Sequence, residues 1–325
     1  MIDYVKLVIY GCKDTINLSS CQLYSTTKYK DNYTISIGYE ELKVHRKKQT
    51  GAIEIEGSLP YFYQGHNFTY SVEDYVNTID KLQELLGIEL WEAVVDEFEF
   101  GCIFPVEEMP VSYIRNHHAE AKARMVENEK GEDNGSFRWW VDKGDSKKKA
   151  RKLKLYDAGK NIKSKVQKKI RDTIAEFVPE RQYLKYELKT EKPIKLFGRV
   201  ITAFDLQTTP FQNTLASKLK ELYKILKPMK ELIKPADTEG LNVNSIIFYA
   251  YIEHLKNEGV SIEGAKKELY AYIDQIPVLK KAAKKNKKDA LCGKFKALQE
   301  APNSQWDLSV MINDALVAEG IPAQE

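Results

Sequence analysis

Residues 91–104 read WEAVVDEFEFGCIF, and the fold turns on taking this run as a strand. In a strand the side chains alternate, so Glu97 and Glu99 project from one face, opposite Val94, Phe98 and Phe100. Two carboxylates on one face of an apolar strand repel each other unless a cation or a proton compensates. A helix over 94–103 would dismantle the architecture that follows.

Upstream, YVKLVIY (4–10), YTISIGY (33–39) and AIEIE (52–56) carry the β-branched, aromatic and period-two pattern of further strands. A helix is expected over 72–86. Ser71 is its N-cap with Asp74 three positions on, Val72, Val76, Ile79, Leu82, Leu85 and Leu86 form its buried stripe, and Gly87 stops it. Downstream, 111–127 reads as helical and GEDNGS (131–136) as a turn. FRWWVD (137–142) and RKLKLYD (151–157) read as two arms of a hairpin. A helix over 161–178 and a strand in YLKYELKT (183–190) follow. After Phe204 the polar, proline-containing DLQTTPFQN gives way to helical periodicity over 214–226, 243–257, 262–273 and 308–317. The expected class is α+β: an antiparallel sheet with flanking helices over 1–205, then a small all-helical domain over 206–325, with the boundary near 205–212.

The 325 residues are 43% apolar and 30% charged, as in a globular protein. No run approaches the roughly 18–20 uncharged apolar residues of a membrane span, and the opening MIDYVKLVIYGCK lacks a basic leader. A cytoplasmic location and no membrane partner are expected. The four cysteines, Cys12, Cys21, Cys102 and Cys292, show no CxxC spacing, which argues against a zinc site or a disulfide framework. A net charge of +3 decides little, but its distribution is uneven. From Lys143 to Arg171 only Asp145 and Asp157 oppose the basic residues, and a second cluster, KKAAKKNKKDA, spans 280–290. Such local fields favour a polyanion; a solvated lysine face is the alternative.

Within the first cluster the strand ends on Tyr156, which shares a face with Lys152 and Lys154 while Leu153 and Leu155 face the other way. Nearby cations favour a phenolate over a phenol of ordinary pKa about 10. A phenolate beside cations, with a metal to hold a phosphate, is what a tyrosine needs to attack a phosphodiester. Glu97 and Glu99 are oxygen ligands suited to a hard divalent ion, the alternative being a solvated sheet face. Glu187 shares its face with Lys185 and Lys189, which equally suits a cross-strand ion pair. Adjacent His117 and His118 point to different sides and make a poor metal pair, and His66 sits in an expected loop. No GxxxxGK[ST] phosphate loop is present, which argues against ATP hydrolysis.

Four segments in order, SLPYFYQGHN, the acidic strand, RKLKLYDAGKNIK and YLKYELKTEKPI, resemble the rolling-circle replication initiators of phages and plasmids, a group that includes filamentous-phage gene II proteins. The resemblance covers about residues 50–205. It implies a nicking nuclease fold in which a tyrosine attacks origin DNA, single-stranded or supercoiled, becomes joined to the 5′ end and leaves a free 3′-hydroxyl. It implies Tyr156 as nucleophile, with Tyr113 and Tyr186 as further candidates. Glu97, Glu99 and Glu187 would be the ligands of Mg²⁺ or Mn²⁺. Phosphate contacts would come from Lys147, Lys148, Lys149, Arg151, Lys152, Lys154 and Lys160. A host helicase and polymerase would be partners, and a homodimer is compatible. The chain departs from the pattern where glutamates replace the usual residues of the acidic strand, and at Ala158, where a lysine is common. Two alternatives stand beside this: a non-catalytic nucleic-acid-binding or regulatory protein on the same fold, and a mobilisation relaxase or transposase with the same chemistry.

Overall fold

Val94–Val106 is a strand of 13 residues, and it lies at the middle of a sheet. The computed structural model describes residues 2–11, 16–119, 123–127, 137–142, 151–160, 170, 182–228, 231–232, 243–258, 260, 262–298, 300–301 and 304–318. The expected helix over 161–178 falls outside them, apart from Ile170.

The sheet strands, in chain order, are β1 (Ile2–Ile9), β2 (Gln22–Thr26), β3 (Lys30–Ile35), β4 (Leu42–Lys47), β5 (Ile53–Ser58), β6 (Val94–Val106), β8 (Ala123–Glu127), β9 (Phe137–Asp142), β10 (Arg151–Asp157) and β11 (Gln182–Thr190). They form one ten-stranded antiparallel sheet in the order β2-β3-β4-β5-β1-β6-β11-β10-β9-β8. Two meanders therefore meet at the central β1–β6–β11 trio. The hairpin of β9 and β10 forms as expected, with Leu153 opposite Trp140. The expected helix over 111–127 does not: among the described residues of that range only those of α3 (Pro110–Arg115) are helical, followed by β7 (His117–Ala119) and β8. Pairing of β8 with β9 outcompetes local helical periodicity there.

Helix α1 (Leu59–Gln64) follows β5, and α2 (Val72–Leu86) has the expected ends. Ser71 Oγ accepts from the Asp74 backbone N–H, the Asp74 carboxylate accepts from Ser71, and Gly87 closes the helix at φ 65°. One sheet face is apolar. Phe98 and Phe100 stack at 5.3 Å, and Phe197 of α4 (Pro193–Phe197) stacks on Phe98 at 6.2 Å. The Tyr186 hydroxyl donates to the Leu219 carbonyl of α6 (Thr209–Tyr223) at 3.3 Å, and its ring meets Tyr223 at 5.7 Å. Between α4 and α6 lies α5 (Ala203–Gln207).

The chain divides into two compact units, one of Met1–Ile114, Ala119–Ile225 and Leu308–Glu325, the other of Arg115–His118 and Leu226–Asp307. The division therefore falls beyond the expected 205–212 break. The reason is local: α6 buries Phe211, Leu215, Leu219 and Leu222, and the Leu308 N–H, just before α10 (Ser309–Ala318), donates to the Tyr223 hydroxyl at 2.8 Å. The second unit contains α7 (Val243–Asn257), α8 (Ile262–Gln275) and α9 (Lys281–Ala297) around Ile252, Ala265 and Phe295. The lysine run 280–290 opens α9, where Lys288 pairs with Asp274 at 2.7 Å. Among the described residues, no helix is long and apolar enough to cross a membrane.

Candidate functional site

The opposite face of the central strands is charged, and strand register sets its geometry. Lys154 of β10 lies opposite Glu187 of β11, Tyr156 opposite Lys185, Glu187 opposite Gly101 of β6, and Lys189 opposite Glu99. The approach at Gly101 requires glycine. A Cβ there would collide with the Tyr186 carbonyl and come within 2.6 Å of the Glu187 Cα. That missing side chain lets β11 lie close enough to β6 to seat Glu187.

Tyr156, Glu97, Glu99 and Glu187, picked out from three separate stretches of sequence, converge here. Lys154 Nζ lies 2.8 Å from Glu99 and 2.7 Å from Glu187. Lys185 reaches Glu187 at 2.8 Å and makes a short ion pair with Asp3 of β1. Lys189 pairs with Glu97 and, at 3.2 Å, with Glu99, and its ammonium lies 4.6 Å from the centre of the Tyr4 ring. The Tyr156 hydroxyl donates to Glu187 at 3.2 Å. The Asn67 amide donates to the Asp3 oxygen that Lys185 reaches, at 2.9 Å, and the Ser58 hydroxyl donates to the other oxygen at 2.6 Å.

Burial and pairing decide protonation. Burial pushes the Glu187 carboxyl up, but the ammoniums of Lys185 and Lys154 outweigh it and hold it far below the ordinary range. Burial and the neighbouring Glu187 charge push Glu99 up, against Lys154. Burial, then Glu187, drive the Tyr156 phenol well above its ordinary value, and Lys185 does not reverse this. Tyr156 is 8% exposed. The phenolate expected from the basic strand is thus a neutral phenol, because the lysines that would favour the anion are committed to carboxylates. Lys185, fully buried, stays charged: burial lowers its pKa, and Asp3 and Glu187 more than restore it.

A resident divalent ion does not fit this arrangement. Glu97, Glu99 and Glu187 already have an ammonium at each carboxylate, so lysines supply the countercharge a metal would bring. Among the described residues no group of three or more His, Cys, Asp or Glu side chains is placed to hold an ion.

The remaining sequence candidates lie as follows. Lys147, Lys148 and Lys149 are outside the described residues, and Arg151 is placed only as the first residue of β10. Lys152 pairs with Glu191 at 2.8 Å, and Lys160 is exposed, its backbone N–H donating to Asp157 at 2.9 Å. Tyr186 sits on the apolar face, its hydroxyl bonded to the Leu219 carbonyl, and Tyr113 is buried at 2% exposure. His66 accepts contact from Gln64 at 3.2 Å, and burial pushes its imidazole pKa down. Sequence reading did not place Asp3. Its only signal was a carboxylate in the largely apolar strand IDYVKLVI, whose partner lies 182 residues away.

Comparison with protein-family models, with curated proteins and with solved structures finds no match.

Proposed function

We propose that the chain is a replication initiator of the rolling-circle type, which nicks origin DNA by attack of Tyr156 on a backbone phosphate. The observation that carries this reading is the Tyr156–Glu187 hydrogen bond within a buried lysine–carboxylate cluster. In the step proposed, the Tyr156 oxygen forms a bond to phosphorus and the bond from phosphorus to the 3′-oxygen breaks. The phenolic proton passes to Glu187, and the departing oxygen takes a proton from water to give the 3′-hydroxyl. Glu187 is a weak base while two ammoniums hold it ionised. A phosphate that draws Lys154 to itself removes one of them, so Glu187 becomes a stronger base when substrate arrives. The lysines offset the charge of the phosphate. The finer fold assignment, a rolling-circle nuclease, and the origin-DNA, helicase and polymerase partners belong to this same proposal.

The second reading is a nucleic-acid-binding or regulatory protein without chemistry, favoured by two features: each cluster carboxylate is already paired with a lysine, and the phenol is buried. The assay that separates them incubates the protein with the supercoiled circular DNA that encodes it, with Mg²⁺, with Mn²⁺ and with chelator. A denaturant-resistant protein–DNA adduct supports nicking, and the chelator arm tests the metal dependence that the resemblance implies and the paired carboxylates do not favour. DNA binding without adduct in any arm refutes nicking and leaves the second reading.

A further inference from the structure

Beside the charged cluster lies a cavity of about 910 Å³ in the first unit, within the roughly 300–1,000 Å³ range of small-ligand sites. Its walls include the rings of Phe68, Tyr70, Tyr75, Phe104 and Tyr183. Phe68 and Tyr183 meet edge to face at 5.4 Å. The hydroxyls of Tyr70 and Tyr75 are tied to Thr78 at 2.8 Å and to the Ala203 carbonyl at 2.9 Å. Of the five rings Tyr183 is half-buried and the other four are buried, so Tyr183 is the ring placed to meet the flat face of an aromatic ligand.

The polar groups of the wall include acceptors. Asn67 lends its amide N–H to Asp3 at 2.9 Å, and Gln212 lends its own to the Leu206 carbonyl. Both side chains are buried, at 7% and 6% exposure. These donor bonds fix the orientation of each amide and leave its carbonyl oxygen for the cavity it lines. Asp314, on α10, adds a carboxylate. Ser71 and Val72 bring the start of α2 to the wall, but Glu73 and Asp74 fill its first turn, and the Asp74 carboxylate takes the Ser71 N–H at 2.8 Å. That end repels a phosphate. The cavity therefore suits a planar, uncharged ligand rich in N–H donors. Thr69, with φ 58° on the same wall, holds the left-handed backbone that such a residue adopts only under constraint.

We propose that this cavity takes one unstacked, amino-bearing base (adenine, cytosine or guanine) of a single DNA strand. It rests on the nucleic-acid part of the reading above and adds the substrate feature that is read. Asn67 joins the two sites, since its partner Asp3 pairs with Lys185, which pairs with Glu187, the acceptor of Tyr156. A base seated here would be linked to Tyr156 through that chain of contacts. Thymine, which presents a carbonyl and a methyl group where cytosine presents an amine, is disfavoured.

The test measures binding of the full chain to an all-thymidine oligonucleotide and to the same oligonucleotide carrying one central cytidine or adenosine. At least about tenfold tighter binding of the substituted strands is expected, worth about 1.4 kcal/mol. Asp314→Ala and Gln212→Met should each reduce that preference severalfold while leaving affinity for all-thymidine DNA unchanged. Free deoxycytidine should compete only at roughly millimolar concentration, the weak affinity of a base without its strand. Equal affinity for the strands, an undiminished preference in both variants, or free nucleoside binding more tightly than the strand overturns the proposal. Base preference without any covalent adduct keeps this site and refutes nicking; an adduct without base preference does the reverse.

Discussion

Replacing Lys154 by methionine removes the ammonium shared by Glu99 and Glu187 while keeping most of the side-chain volume. The cluster holds three lysines (154, 185, 189) against four carboxylates (Asp3, Glu97, Glu99, Glu187), a formal 3 − 4 = −1 that becomes −2 in the variant. The side chains of Lys154, Glu99 and Glu187 are 14%, 13% and 2% exposed, so solvent screens the loss weakly. Removing one partner of a buried pair costs about 3–5 kcal/mol, which places the loss near the upper part of single-substitution effects. The pH dependence follows from the signs. In the native chain the depressed Glu187 contributes stability that is present above the ordinary carboxyl pKa and lost as pH falls through its lowered value. Glu99, already raised, works in the opposite sense. Without Lys154 both carboxyls move up, so the penalty is full near neutral pH and shrinks as acid protonates one of them. Hydrogen exchange of the β11 amides at about pH 7 and about pH 5 measures this within the first unit. A loss below about 1 kcal/mol, the size of a surface pair, or one equal at both pH values, refutes a buried, charged cluster.

Gly101→Ala should destabilise the same strands by about 1–3 kcal/mol or more, since the added methyl meets β11 backbone; wild-type hydrogen exchange in the variant would contradict the close approach. Because ionised Glu187 is proposed to take the Tyr156 proton, the nicking rate should be level near neutral pH and fall only as acid protonates Glu187. A rate climbing about tenfold per pH unit through neutral pH would mean attack by a phenolate formed without that base. Because Lys152 is held by Glu191, Lys152→Ala should change the logarithmic salt slope of DNA binding by at most about one unit. A larger change would mean that the lysine leaves its partner for a phosphate.

Period-two patterning in β1, β6, β10 and β11 made the antiparallel sheet legible, and the Ser71–Asp74 pair with Gly87 marked both ends of α2. The edge strand β2, the inner strand β4 and the short helices α1, α4 and α5 were missed, being brief segments whose placement depends on neighbours. The helical stripe of α6 was readable, but not the face it covers: Leu219 and Tyr223 meet Tyr186, and only tertiary contact assigns them to the first unit. At the site, alternation gave the shared faces of Glu97 with Glu99 and of Glu187 with Lys185 and Lys189. It could not give the cross-strand register that sets Lys154 between two glutamates. Hence Tyr156 and its lysines were read as a phenolate among free cations, where the lysines are already paired.

The most direct measurement maps the covalent bond. Wild-type protein and Tyr156→Phe are incubated in parallel with the supercoiled DNA that encodes the chain, each adduct is digested with protease and nuclease, and the peptide carrying a nucleotide is sequenced by mass spectrometry. The nucleotide is expected on Tyr156, within the β10 sequence RKLKLYD. Tyr156→Phe, which lacks only the attacking oxygen, is expected to bind DNA as the wild type does and to form no adduct. An adduct on Tyr113, Tyr186 or any other residue, or wild-type nicking by Tyr156→Phe, contradicts the assignment of Tyr156 as nucleophile.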